Sequence, residues 1–396
     1  MAVRRDKVPG ISTTSMRPCH LVDTTLFYSP TSGGVRRYLN AKHGWLAGQP
    51  GWRHTLVVPG SETRIVRGGT CTLCGVPVPG SFNYRLPLAP RRWVQLLDAL
   101  RPDLIEAGDA FYPAWAALRV AERRGIPAAA FCHSNLPRIV GRRLGGRPAE
   151  QLVCRYMRWL YGRFAVVFAP SLQMLDFLGG LGIRHAVHQP LGVDADMFRP
   201  ERRGEWLREC LGLGPTARVL VYAGRFTDEK NVPVLLRAFA RLGRSYHLLM
   251  IGGGRRGRLA TNVSLLPYRR DGIELARWIA SADALVHAGT RETFGLVILE
   301  AMACGRPVVA ARAGALPELV DEHVGMLAAP GSADSLAEAI AALYERDLEA
   351  VGASARARVL RQFTWQKTLQ RQMAVYGSLL AGLPAAAPQE EFVEAG

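Results

Sequence analysis

Residues 284–318, ALVHAGTRETFGLVILEAMACGRPVVAARAGALPE, constrain the fold more than any other stretch. A short apolar run over 284–287 predicts a buried strand, and 307–311 predicts a second one. Between them lies an apolar helix, opened by Gly295 and closed at Cys304-Gly305, where glycine accepts a left-handed C′ conformation. Glu292 sits just before that helix and Glu300 about a turn and a half inside it, roughly 8 Å along the axis. Carboxylates accept paired hydrogen bonds from vicinal hydroxyls, and free N–H groups at a helix start favour anions or hydroxyl oxygens. A sugar nucleotide offers both kinds of group. The plainer alternative, a helix-dipole partner at Glu292 and a solvated Glu300, stays open on spacing alone.

The 396 residues suggest two domains, or three. No run approaches eighteen apolar residues, so no spanning helix is expected. Arg4, Arg5 and Lys7 are followed by polar residues rather than a signal-peptide core. Seven cysteines without an export signal point to a reducing cytoplasm. Cys71-x-x-Cys74 has no second pair and no His at zinc spacing, so it reads as structural and no metal site is expected. The net charge of +17 is uneven: residues 1–195 carry 25 Lys+Arg against 11 Asp+Glu (+14), and the remainder 25 against 22 (+3). A basic first half suits a phosphate-bearing, anionic or membrane-surface partner. Only four of the fifty basic residues are lysine, so coding bias also contributes to the arginine excess. No zinc-finger, RNP-type or heptad basic motif accompanies the charge, and no nucleic-acid partner is expected.

From the start, 19–24 reads as a strand, and Gly33-Gly34 joins it to a helix over 35–46. Such a pair lets backbone approach a ligand, or makes an ordinary tight turn. Strands over 55–58, 103–106 and 128–132 alternate with helices over 93–100 and 115–124, which argues for a parallel sheet. The last strand ends at His133-Ser134-Asn135, and ligand groups in open α/β sheets gather beyond such ends. Arg124, Arg138, Arg142, Arg143, Arg147, Arg155, Arg158 and Arg163 cluster around Met157, Trp159, Leu160 and Tyr161, with a helix over 155–164. This mix suits a lipid interface or an ordinary helix with a solvated basic edge. Asp194-Ala-Asp196 spells a metal-type D-x-D, but in a connection beside Phe198-Arg-Pro200 it reads as structural. A strand over 219–223 runs into Gly224-Arg225 and Lys230, two cations able to reach one anion before a helix begun near Pro233. The strand 247–251 leads into Gly252-x-Gly254-x-x-Gly257, which lacks the room to open a helix before the next strand at 263–266, so the dinucleotide fingerprint is not credited. Helices follow over 274–280, 335–344 and 364–380.

Glu292-x7-Glu300 with Phe294-Gly295, then Glu-Ala-Met-Ala-x-Gly-x-Pro-Val-Val and Pro317-Glu318, resembles the motif of retaining family 4 glycosyltransferases. The likeness spans about 19–380 and is densest over 190–320. It implies an α/β protein of GT-B architecture, two Rossmann-like domains facing across a cleft with a C-terminal helix crossing back. On that basis 1–17 is a flexible lead-in, 18–195 the acceptor-side domain, 196–362 the nucleotide-sugar domain, 363–382 the returning helix and 383–396 a disordered tail. The resemblance further implies that Glu300 holds the ribose diol and that Glu292, Thr293, Phe294, Gly295 and Leu296 read the sugar. Arg225 and Lys230 take the diphosphate, Tyr268 lies near the base, Gly33 and Gly34 lie beneath the diphosphate, and His133 contacts the sugar. Glu292, His133, Arg225 and Lys230 form the expected catalytic set. The donor is a nucleotide-diphosphate sugar, of guanosine-mannose or uridine-glucose type, with no cofactor required. The acceptor is a glycan, lipid-linked or phosphate-bearing molecule of envelope or exopolysaccharide synthesis, reached in the cytoplasm or against the anionic inner leaflet. An epimerase, a phosphorylase and a non-catalytic sugar-nucleotide binder are the alternatives. The sequence departs from the family at His287-Ala-Gly, where Pro-Ser is usual.

Overall fold

Strands buried on both faces need continuous apolar runs, because helices cover a parallel sheet on each side. The structure, a computed structural model, contains two such sheets and describes residues 17–29, 33–66, 68–79, 83–144, 146–254, 256–269 and 271–383. The lead-in up to 16, Pro30-Thr31-Ser32 and the tail from 384 lie outside the described residues.

The first sheet has eight strands: β1 (Cys19–Thr24), β2 (Trp52–Gly60), β3 (Thr70–Pro77), β4 (Arg85–Pro87), β5 (Leu104–Ala107), β6 (Ala128–Phe131), β7 (Val166–Ala169) and β8 (Ala186–His188). Their order is β4-β3-β2-β1-β5-β6-β7-β8, parallel except for the β3–β4 edge hairpin. The second sheet has seven: β9 (Arg218–Ala223), β10 (Tyr246–Gly253), β11 (Gly257–Ala260), β12 (Val263–Pro267), β13 (Ala284–His287), β14 (Val308–Ala311) and β15 (Gly325–Ala328). They run β11-β12-β10-β9-β13-β14-β15, with β11 alone antiparallel. Strand order reverses beside β1 and beside β9, and in such folds ligands bind beyond the strand ends at those places.

The glycine-rich run after β10 forms the β11–β12 hairpin and opens no helix. The basic segment holds two helices, Leu136–Leu144 and Gly146–Tyr161. The expected single helix over 155–164 is therefore too short at its start and too long at its end, since the chain turns through Gly162. The Asp194 carboxylate accepts the N–H groups of Asp196 (3.1 Å) and Met197 (2.8 Å), which gives the D-x-D run a turn-capping task. The Cys71 thiol donates to the Val66 carbonyl and that of Cys74 to Ser61.

Two chain crossings join the sheets. Val193 on the outward path and Thr364 on the return path form a bridge, with Val193 N–H donating to Phe363 at 2.8 Å. Gly192 permits this approach, because a Cβ there would sit 2.8 Å from the Trp365 Cα. The returning helix Trp365–Leu380 then packs on the helix Gly34–Ala47 of the first domain. Lys42, fully buried, donates to Asp23 (3.0 Å) and to Tyr376 (3.0 Å) of the returning helix and lies 3.1 Å from Glu106. Gln372 donates to Glu106 at 2.9 Å. Burying three charges is tolerable only because each is paired and hydrogen-bonded. That network ties the last helix to the first sheet.

Candidate functional site

Several of the expected site residues meet where loops of the two sheets face each other. From the second sheet, β13 delivers His287, and the loop after it carries Glu292 to the helix Leu296–Ala303. Gly295 caps that helix at φ 104°, and a Cβ there would meet Leu316 at 3.1 Å, so only glycine makes this turn without strain. The Glu292 backbone is clamped from behind: its carbonyl accepts Ala315 N–H (3.0 Å), and a Cβ on Gly314 would approach it to 2.6 Å. Phe294 packs its ring in the core.

Glu292 is the most heavily supported carboxylate of the site. Its Oε1 accepts from Lys230 and lies 3.1 Å from His287 Nε2. Burial opposes its charge, yet Lys230 and His287 together outweigh that and hold the carboxyl well below its usual range. Glu292 is therefore an anion at any physiological pH. Glu300 is only 3 % exposed. Its Oε1 accepts from Arg37 of the first domain, and its Oε2 has no partner among the described residues. A buried carboxylate oxygen left without a donor costs free energy that a ligand hydroxyl recovers.

Arg225 and Lys230 bracket the loop after β9. Lys230 turns in to Glu292, while the Arg225 guanidinium stands 3.9 Å from Glu229. The floor of this loop is glycine by necessity: a Cβ on Gly252 would lie 1.9 Å from the Gly224 carbonyl. Tyr268 follows β12, its N–H bonded to the Gly253 carbonyl.

From the first sheet, Gly33 caps the helix Gly34–Ala47, and a Cβ on Gly34 would stand 3.3 Å from Leu296 across the cleft. His133 follows β6, its ring stacked on Phe131 with centroids 4.0 Å apart. Its carbonyl accepts from the Thr293 hydroxyl at 2.9 Å, joining the two domains. Burial, helped by Lys42, pushes the His133 imidazole down to about 3, so it acts as a neutral ring, and its Nε2 has no partner among the described residues. Glu318 closes the cleft elsewhere, accepting the N–H groups of Leu172 (2.7 Å) and Gln173 (2.8 Å) at the start of the helix Leu172–Gly180.

The structure thus joins Glu292 to Lys230 and His287, and between the two domains it brings Arg37 to Glu300, Thr293 to His133 and Gly34 to Leu296, while Arg225 stands on the loop after β9 and Tyr268 just past β12. Sequence reasoning missed Arg37, and it noted His287 only as a departure. Arg37 stands one turn past Gly34, a position whose signal is only a charge beside a ligand-type turn. The cleft offers anionic acceptors for hydroxyls, cations for a phosphate and a neutral imidazole.

The comparisons agree with this chemistry. Residues 32–197 match the model described as Glycosyltransferase Family 4, and 217–346 that described as Glycosyl transferases group 1. The chain is 29% identical over 374 residues, 91% of itself and 96% of its relative, to a GDP-mannose-dependent alpha-(1-6)-phosphatidylinositol dimannoside mannosyltransferase of Mycobacterium tuberculosis. It is 31% identical over 269 residues, 66% of itself and 70% of the relative, to a GDP-mannose-dependent alpha-mannosyltransferase of the same species. Among solved structures, sucrose-phosphate synthase from Thermosynechococcus elongatus superposes with a TM-score of 0.76 over 92% of this chain and 100% of that one, at 20% identity. Anabaena HepE in complex with UDP and glucose gives 0.72 over 90% and 99%, at 21% identity.

Proposed function

The chain belongs to the family 4, group 1 glycosyltransferases, and from that premise we propose that it transfers mannose from GDP-mannose, with retention, to a lipid-linked or phosphate-bearing acceptor of the cell envelope. The observation that carries the donor half of this reading is the buried Glu300 carboxylate, one oxygen of which is unpartnered among the described residues while the other is met by Arg37 from the first domain. A ribose diol would take that oxygen and displace Arg37 from the other. Arg225 and Lys230 then receive the diphosphate and meet the charge that grows on it as the sugar departs. Glu292 and the backbone from Thr293 through Leu296 orient the sugar ring, with neutral His133 opposite as a hydrogen-bonding partner. Tyr268 borders the base, and Gly33-Gly34 leaves room for the acceptor. In this mechanism the acceptor oxygen attacks the anomeric carbon on the face from which the diphosphate leaves. The carbon–oxygen bond to phosphate breaks, and the departing phosphate oxygen takes the acceptor's proton. No protein base is assigned, and the nucleotide sugar is the only small molecule required.

GDP-mannose is favoured over UDP-glucose because relatives spanning 91% and 66% of the chain are named for it, although one spanning 73% is named a sulfoquinovosyl transferase. An anionic acceptor or inner-leaflet surface is supported by a groove of about 600 Å³ on the first domain, bordered by Arg91, Arg119 and Arg123 with Tyr112 and Trp115, where the one carboxylate, Glu122, is paired with Arg163. No helix among the described residues is long and apolar enough to cross a membrane. The test is thermal shift against a nucleotide-sugar panel, since a ligand of the native state raises its melting point. GDP-mannose is expected to give the largest shift. A shift with UDP-glucose alone would overturn the donor assignment, and no nucleoside diphosphate release on adding acceptor would overturn transfer.

A further inference from the structure

We propose that His287 is a positioning residue of the donor pocket: its neutral imidazole keeps Glu292 in place when Lys230 leaves that carboxylate for the donor's diphosphate. The proposal rests on reading Glu292 as the sugar-facing carboxylate.

His287 is 1 % exposed at the end of β13. Its Nδ1 accepts the Gly289 N–H at 3.1 Å, so the ring proton of the neutral form resides on Nε2. That nitrogen lies 3.1 Å from Glu292 Oε1, the oxygen that also accepts from Lys230. The ring has little freedom to turn away. A Cβ on Gly289 would lie 2.5 Å from His287 Cε1, so only glycine fits behind the ring, and Tyr222 of β9 flanks it at a centroid distance of 6.0 Å. The unusual His287-Ala-Gly run is thus one unit: the glycine is present because the histidine is, and it fixes the tautomer.

The two donors on Oε1 differ in kind. Lys230 is a mobile cation on the loop that also carries Arg225, whereas His287 is a fixed neutral N–H on a central strand. An incoming diphosphate attracts Lys230 more strongly than one carboxylate does, and the flexible lysine stem permits the exchange. Without a second donor, Glu292 would then be a buried anion bare of hydrogen bonds beside a new negative charge. A neutral N–H supplies the bond without adding a cation that competes for the diphosphate. The charged and titratable groups near Glu292 are Lys230 on the loop after β9, His287 on β13 and Tyr222 on β9, with Arg225 and Glu229 around that tyrosine.

Two replacements separate positioning from packing. In His287→Asn the side chain can still accept the Gly289 N–H but is too short to reach Glu292. In His287→Gln an amide N–H can reach the carboxylate. We expect His287→Asn to lower kcat by about 10–100-fold, the usual cost of losing an orienting partner. Its affinity for GDP alone should change less than about twofold, because no contact with the nucleotide is lost. His287→Gln should recover most of the rate. Gly289→Ala, which pushes the ring aside, should resemble His287→Asn. Wild-type kcat in folded His287→Asn, or a GDP affinity that falls along with the rate, would overturn the proposal. So would a rate loss that follows the melting point and is not relieved by Gln; should the Asn variant fail to fold, Gly289→Ala decides by the same two readouts. Glu292→Gln separates the two levels: unimpaired turnover there rejects the reading of Glu292 itself, whereas an impaired Glu292→Gln beside a fully active His287→Asn rejects only the role of His287.

Discussion

Replacing Glu300 with Gln tests the ribose assignment in energetic terms. The wild-type carboxylate offers two acceptor oxygens, one held by Arg37 and one unpartnered. Gln keeps one acceptor, loses the charge and turns the other position into a donor. A hydrogen bond to a charged group contributes about 1.5–3 kcal/mol, so losing one should weaken nucleoside diphosphate binding by about 10–150-fold. The Arg37 contact offsets little of this. That guanidinium is 35% exposed, and solvent-screened pairs are typically worth at most about 1 kcal/mol. The assay is a double-mutant cycle by calorimetry: wild type and Glu300→Gln, each titrated with GDP and with its 2′,3′-dideoxy analogue. If the carboxylate holds the diol, removing the hydroxyls costs affinity in wild type and almost nothing in the variant, a coupling of about 1.5–3 kcal/mol. Coupling below about 0.5 kcal/mol, the usual limit for independent sites, would refute the assignment. Donor-free stability should change by about 1 kcal/mol, because the variant weakens a pair whose guanidinium is one-third exposed and leaves one buried amide atom unpartnered where the carboxylate left one oxygen.

Four other outcomes follow from the geometry. Lys42→Met leaves Asp23 and Glu106 buried without their cation and should cost about 3–5 kcal/mol in urea unfolding; a loss under about 1 kcal/mol would show the network to be dispensable. Gly252→Ala forces a side chain at φ 137° against the Gly224 carbonyl, and should destabilise by at least about 1–3 kcal/mol while weakening diphosphate binding. The His133 ring is neutral when folded, with its value pushed from 6.5 to about 3 by burial, so the unfolded chain takes up the proton first. Stability is therefore lost as pH falls from about 6.5 toward 3 and is level above that window, and His133→Gln should lessen the loss. Glu318→Ala strips two helix N–H groups of their cross-domain acceptor, worth about 1–3 kcal/mol. Small-angle scattering should report a larger radius of gyration, and an unchanged one would mean the cleft is held shut by other contacts.

Much of this was legible in the sequence, for reasons that differ along the chain. Glu292, Gly295 and Glu300 fall within one strand–turn–helix unit, so local periodicity placed them together before any tertiary contact was known. Central strands such as β9 and β13 showed as apolar runs. The edge hairpin β3–β4 did not, because alternate residues of β3 are only half-buried and β4 has only three. Strand β6 is three alanines and a phenylalanine, legible by apolar continuity although alanine has low strand propensity. Arg37 and Glu300 stand 263 positions apart, and no local pattern relates them. Lys42 had a faint signal: it shares the helix face of Tyr38, Leu39 and Leu46, where an ordinary amphipathic helix places apolar residues. Its partners on β1, β5 and the returning helix exist only in the folded chain.

The central claim concerns transfer through the cleft that Glu292, Glu300, Arg225 and Lys230 share. Its most direct test is to supply GDP-mannose and an extracted envelope-lipid acceptor to the purified protein, then count GDP released against mannose transferred and read the anomeric configuration by NMR. The account predicts one GDP per mannose and an α product, with both lost in Arg225→Ala. A β product, or turnover undiminished in that variant, would contradict it.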